Sequence, residues 1–219
     1  MSLLLGIETS SSEYAMALGR DGKIIFDSAP LYRDRAARDL SLILDRALAE
    51  LQIQVADIDG IAVNVGPGGL GAIRAGVAFA NALSFALGKR MLPMNFFELA
   101  GVQAQRQFER PVLTAIPASD GMAYLGLFEN GRVQEARFGR FEDLVGQVAA
   151  GRGSLAAAGR LRGAVSKMLP DVDVADTQID SPSPATLIAA AAAALHRPEL
   201  WVSQVVPLNE EAELFHAKA

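Results

Sequence analysis

Residues Leu3–Ser28 read LLLGIETSSSEYAMALGRDGKIIFDS, and their order decides the fold. Leu3-Leu4-Leu5-Gly6-Ile7 is an unbroken apolar run, the pattern of a strand covered on both faces. A polar turn, Glu8 to Glu13, leads into Tyr14–Gly19, and Asp21-Gly22 separates that stretch from Lys23–Ser28. Asp-Gly between two short apolar runs predicts a hairpin, because Gly accepts the positive φ that a type I′ turn requires. The same order returns later in the chain. Val112–Ile116 is a second apolar run, and Met122–Phe128 and Val133–Phe138 flank Asn130-Gly131. The turns at 21 and 130 are 109 residues apart, and this offset sets Leu4 on Leu113, Ile7 on Ile116 and Ser10 on Ser119.

The intervening segments extend the match. Arg33–Leu51 has the spacing of an amphipathic helix, with Ala36, Leu40, Ile43, Ala47 and Leu51 on one face. Ile58–Val65 is a buried strand, and Ala72–Leu87 is a helix that Gly88 can terminate. A short strand at Arg90–Met94 and a helix at Asn95–Gln107 close the first half. In the second half a helix at Phe141–Ala149 and a strand at Leu155–Ala158 repeat the order, and Pro182 and Pro184 introduce a helix at Thr186–Leu195. A repeated strand, hairpin, helix, strand, helix predicts an α/β fold of two ribonuclease-H-like lobes, the actin-like ATPase and sugar-kinase (ASKHA) architecture. Arg110-Pro111 interrupts the apolar pattern. The expected division is a lobe over 1–109, a second over 110–200, and a terminal segment over 201–219 that packs back or stays exposed.

Composition narrows the function. A formal net charge of −5 disfavours a chain that grips a nucleic-acid backbone by itself. Cysteine is absent, which removes disulfides, thiolate nucleophiles and Cys-based zinc sites. His196 and His216 are the two histidines, so His-rich metal clusters, H-E-x-x-H peptidase chemistry and a Ser-His-Asp triad find no support. The N-terminus has no basic region and meets Glu8 early for a signal peptide, and the alanine-rich run Ala185–Leu195 is short for a membrane span. The expectation is a cytoplasmic chain with no membrane partner.

Glu8, Thr9, Ser10 and Ser11 follow the first strand, where two-lobed ATPases carry a carboxylate and hydroxyl-rich turn for metal and phosphate; equally, the hydroxyls satisfy turn backbone groups. The matching turn of the second lobe reads Pro117-Ala118-Ser119-Asp120-Gly121, with Pro117 where a carboxylate belongs. Half of a phosphate clamp is therefore missing. Gly66, Gly68, Gly69 and Gly71 suggest a glycine loop, but Ala72 and Ile73 stand where a P-loop needs Lys and Ser/Thr. In the helix that follows, Ile73, Val77, Ala80, Ser84 and Leu87 form one stripe, and Ala72, Ala75, Phe79, Ala82 and Ala86 another. A helix apolar on two faces needs cover on both. The expected partner surface is Leu42 and Ala49 of the preceding helix with Arg74, Ala75, Ala78, Phe79, Asn81, Ala82 and Phe85.

Gly6-Ile7-Glu8-Thr9-Ser10, then V-N-V-G-P-G-G-L-G-A-I-R-A-G over Val63–Gly76 and an alanine-rich helix, resembles the TsaB (YeaZ) family. These are the glycoprotease-like, non-catalytic subunits of the tRNA threonylcarbamoyladenosine machinery. The chain departs from the family pattern at Gly69-Leu70-Gly71-Ala72, near Arg35, at Pro117-Ala118-Ser119 and at Pro207-Leu208-Asn209. The resemblance implies a subunit with no cofactor of its own, pairing with a TsaD-like catalytic subunit and a TsaE-like ATPase that carry ATP and metal. It implies threonylcarbamoyl transfer to adenosine 37 of tRNAs reading ANN codons, with tRNA met only through the complex. It also implies a homodimer through first-lobe helices. The alternative from the residues alone is a small ATP-dependent phosphotransferase using Glu8, Thr9 and Ser10.

Overall fold

The computed structural model describes residues 2–11, 14–28 and 39–215. The chain divides into two compact units, Met1–Asn95 with Ser183–Pro207, and Phe96–Pro182 with Leu208–Ala219. The first contains strands β1 (Leu3–Glu8), β2 (Ala15–Arg20), β3 (Lys23–Asp27), β4 (Gly60–Asn64) and β5 (Met91–Met94), in sheet order β3-β2-β1-β4-β5. The second contains β6 (Val112–Pro117), β7 (Met122–Glu129), β8 (Arg132–Arg140), β9 (Ser154–Ala158) and β10 (Asp173–Asp176), in order β10-β9-β6-β7-β8. These are one order read from opposite edges. β1–β2 and β6–β7 are antiparallel, whereas β1–β4 and β6–β9 are parallel. The duplication and the ribonuclease-H-like topology expected from the sequence are present in both units.

Both hairpins turn as their dipeptides predict: Asp21 and Gly22 have φ of 51° and 78°, and Asn130 and Gly131 have 53° and 77°. Their strands carry the cores. Leu4, Leu5 and Ile7 in one unit and Leu113, Ala115 and Leu125 in the other are fully enclosed. Each large side chain among them contributes about 1.5–3 kcal/mol relative to exposure.

In the first unit, helices α1 (Leu40–Leu51) and α2 (Leu70–Leu87) follow β3 and β4. α1 starts where Asp39 accepts the Ser41 and Leu42 amides at 3.0 and 3.3 Å, a cap worth about 1 kcal/mol. Leu40, Ile43 and Ala47 face inward as their spacing predicts and Leu51 is half-buried, while Ala36 and the expected start at Arg33 lie outside the described residues. α2 begins two residues earlier than expected, at Leu70, and ends at Gly88 with φ 63°. In the second unit, α4 (Phe141–Val148) and α5 (Arg162–Met168) hold the corresponding places; α5 and β10 have no counterpart in the sequence reading.

Two helices belong to the unit other than the one their chain position suggests. α3 (Phe96–Ala104) follows β5 yet packs on β6, β7, β8 and β9, where Phe96 and Phe97 join Phe128 in the core. α6 (Pro184–Ala193) follows β10 yet packs on β1, β2, β3 and β4. The first unit therefore ends at Asn95, not 109, and the second does not contain all of 110–200. Helical periodicity announces a buried face but does not say which sheet covers it. The terminal segment packs back on both sides of Pro207. Trp201 Nε1 donates to the Ala194 carbonyl at 2.9 Å and Val202 bridges Met91 in the first unit. Phe215 stacks near Phe97 and Tyr124 in the second.

Candidate functional site

β1 ends at Glu8, and β4, its parallel neighbour, ends at Asn64. Both side chains are buried, Glu8 with 2% of its surface exposed. Glu8 Oε1 accepts the Ser10 amide at 2.7 Å and the Ser10 hydroxyl; Oε2 accepts Asn64 Nδ2 at 2.7 Å. Asn64 Oδ1 in turn accepts the Gly66 amide at 2.9 Å. The orientation of the Asn64 amide follows from this chain of bonds: Gly66 N–H can only donate, so Oδ1 faces it and Nδ2 faces Glu8. Oε2 is thereby an acceptor from Asn64, as Oε1 is from Ser10. Burial raises the Glu8 pKa from 4.5 to about 7, against the lowering effect of the Ser10 and Asn64 hydrogen bonds.

The glycine loop leaves β4 directly over this carboxylate. Gly66-Pro67 is cis, the Gly69 amide donates to the Ser10 carbonyl at 3.2 Å, and Gly68 lies against the Ser10 backbone. Gly69 is the N-cap of α2 without a side-chain cap bond, and Gly71 is exposed in its first turn. One level along, Thr9 faces Gly76 of α2, where any Cβ would collide with the threonine side chain. The Thr9 hydroxyl is buried and has no hydrogen-bond partner. The sequence-predicted turn and glycine loop are thus brought together, and Ser11 is half-buried at the end of the described stretch. Asn64, the side chain that joins them, was missed. Its sequence signals are a polar residue at the end of an otherwise apolar strand and its place in the V-N-V-G-P-G stretch.

α2 separates its two stripes. Ile73, Val77, Ala80 and Ser84 are buried, and the helix packs on β4 and β1. Leu70, Arg74, Ala78, Ala82 and Phe85 are exposed along the opposite side, Phe85 with 91% of its surface; Ala75 and Phe79 are half-buried at the margin. α2 is long and apolar enough to cross a membrane by length and composition alone, which reflects this uncovered apolar side as much as the buried one. Asn81, half-buried, has a second role besides the expected one. Its Nδ2 donates to the Val205 carbonyl at 2.9 Å and its Oδ1 accepts the Val205 amide at 3.0 Å, so it anchors the terminal segment. On α1, Leu42 is 55% exposed and Ala49 lines a groove of about 600 Å³ with Leu48, Gln52 and Ile53.

The corresponding turn of the second unit has a different character. Pro117 ends β6, and Asp120 is exposed with φ 55°. A cavity of about 200 Å³ lies there between Pro117, Gly121, Arg140 and Leu161. Among the described residues no group of three His, Asp or Glu side chains is placed to hold a metal ion. His196 is exposed, and His216 lies outside the described residues.

The family profile described as TsaD, tRNA N6-adenosine threonylcarbamoyltransferase, matches residues 33–175. A tRNA N6-adenosine threonylcarbamoyltransferase from Geotalea uraniireducens is 32% identical over 145 residues, covering 58% of this chain and 42% of that one. The chain spans 30% to 48% of the length of the curated relatives it matches. A Pseudomonas aeruginosa protein described as similar to peptidase YEAZ superposes with a TM-score of 0.78 at 26% identity, covering 96% of this chain and all of that one. A polyphosphate/ATP-glucomannokinase from Arthrobacter shares the fold alone, with a TM-score of 0.50 at 11% identity. The profile covers more than half of the chain and the superposition nearly all of it: the chain belongs to the TsaD family, as a TsaB-like (YeaZ-like) member.

Proposed function

We propose that this chain acts in tRNA threonylcarbamoyladenosine formation as a non-catalytic scaffold or activating subunit. It docks a TsaD-like catalytic subunit, works with a TsaE-like ATPase, and supports threonylcarbamoyl transfer to adenosine 37 of tRNAs reading ANN codons. ATP and metal reside on those partners, tRNA is met through them, and the assembly works in the cytoplasm. The observation that carries the reading is the uncovered apolar side of α2, with Leu70, Ala78, Ala82 and Phe85 open to solvent. Apolar area of this kind gains stability only when a partner removes it from water. A second copy of the chain uses the same side in a homodimer that the catalytic subunit displaces. The bonding of Glu8 to Ser10 and Asn64, and Pro117 in the other unit, favour this over a phosphotransferase.

Mixing the chain with its cognate TsaD-like subunit and following mass by light scattering, with and without ATP, tests the reading. A heterocomplex that depletes the homodimer, and that raises threonylcarbamoyl transfer in a reconstituted tRNA assay, is the expected result. Two well-folded proteins that do not associate would overturn it.

A further inference from the structure

The buried carboxylate and the uncovered side of α2 are connected through one side chain. Asn64 bonds Glu8 with its amide nitrogen and the Gly66 amide with its oxygen, and it is fully buried. Because the site is buried, losing either half strands a donor or acceptor. In the loop it holds, Pro67 is buried and Gly68 packs against the Ser10 backbone, while Asn64 supplies a side-chain hydrogen bond. Gly66, Gly68 and Gly69 carry no side chains, and Gly69 caps α2 without a side-chain hydrogen bond. Apart from Asn64, backbone bonds constrain the loop: Val65 N–H to the Met94 carbonyl at 2.9 Å and Gly69 N–H to the Ser10 carbonyl at 3.2 Å. Ser10 is itself held by Glu8. Where the helix starts matters for its first turns: Leu70 and Arg74, exposed on the uncovered side, ride on the loop, whereas from Ile73 onward the buried stripe against β4 and β1 sets the rotation of α2.

We propose that Asn64 is a positioning residue for the N-terminal end of the docking side of α2: clamped between Glu8 and Gly66, it holds the glycine loop and so the place from which Leu70 and Arg74 are presented. This rests on the reading of α2 as the docking helix and names the device that controls it.

The test compares wild type with Asn64→Ser, Asn64→Ala and Asn64→Asp by hydrogen–deuterium exchange on the isolated chain, then by titration with the TsaD-like subunit. In the Ser and Ala variants, exchange at 66–73 rises about tenfold or more while Leu18 and Phe26 in the hairpin change less than about twofold. Affinity for the subunit falls about tenfold at temperatures where near-ultraviolet circular dichroism reports an intact fold. Asn64→Asp keeps the acceptor for Gly66 and sets a carboxyl against Glu8, so a shared proton rebuilds the clamp. Protection and affinity of that variant recover between about pH 8 and about pH 6, whereas the Ala variant shows no such recovery. No charged side chain is among the causes of the Glu8 shift, so the recovery reports this pair.

Exchange that rises uniformly across the unit, or stays unchanged at 66–73, overturns the proposal, as does an Asn64→Asp profile parallel to that of the Ala variant. If the smaller variants do not fold, Asn64→Asp at the two pH values carries the same decision. Failure of the wild type to bind the subunit would remove the docking reading, while exchange at 66–73 would still decide whether Asn64 fixes the start of α2.

Discussion

Both halves of the Asn81 amide bond the backbone of Val205, Oδ1 to its N–H at 3.0 Å and Nδ2 to its carbonyl at 2.9 Å. A residue that looks like part of an exposed stripe thus ties the segment after Trp201 to α2. Asn81→Ala removes both bonds and leaves the partly buried Val205 groups unpaired, at a cost of about 1–3 kcal/mol. Chemical denaturation should show that loss, with exchange rising first at 202–206. Unchanged stability would mean that Trp201 and the Val202–Met91 bridge anchor the segment without Asn81.

Phe85→Asp and Ala78→Arg place a charge on the uncovered side of α2 and touch no core residue. Each should change monomer stability by no more than about 0.5 kcal/mol. Association with the TsaD-like subunit or a second copy should weaken at least about tenfold, since a charge buried without a partner is costly. Unchanged monomer stability with unaltered association constants would move the interface elsewhere.

Gly76→Ala drives a methyl group into Thr9. Overpacking of this kind costs about 1–3 kcal/mol. Thr9→Ala removes the hydroxyl and methyl that collide, so the double variant should regain part of the loss. A thermal-denaturation cycle on the four proteins measures the coupling, and strict additivity would show that the helix simply shifts outward.

Glu8 makes stability depend on pH in a direction unusual for a carboxylate. Its folded pKa of about 7 lies above its ordinary 4.5, so the folded chain holds the proton more tightly than the unfolded one. The stabilisation from that proton is complete below about pH 4.5 and is lost as pH rises through about 7, roughly 3 kcal/mol at its largest. Glu8→Gln should flatten this part of the profile. A wild-type profile that rises from about pH 5 to about pH 7, once other groups are matched by the Gln variant, would contradict the assignment.

Phe215→Ala tests the far end of the chain. Phe215 is buried against Phe97 and Tyr124, and Tyr124 also donates to Glu210 at 3.2 Å. Truncation should cost about 3 kcal/mol, read by denaturant unfolding, and release the segment after Pro207 to exchange. The Tyr124 hydroxyl, whose pKa burial and Glu210 raise to about 12, should return toward its ordinary value.

The repeated hairpin was legible because Asp21-Gly22 and Asn130-Gly131 act through local backbone geometry, and the apolar runs beside them mark strands wherever they lie. That local information sufficed for the ribonuclease-H-like order in both units. It also sufficed for a two-sided helix after the glycine loop. Tertiary structure decided what periodicity leaves open. Sequence spacing gives α3 and α6 a buried face, but their assignment to a sheet depends on packing partners far along the chain: Phe128 for Phe97, and the strands of the first unit for Leu187 and Ile188. Asn64 and Asn81 make the same point for polar groups. An asparagine's role depends on which donor and acceptor come within about 3 Å of it, and that proximity exists only once β1 lies beside β4 and the terminal segment returns to α2.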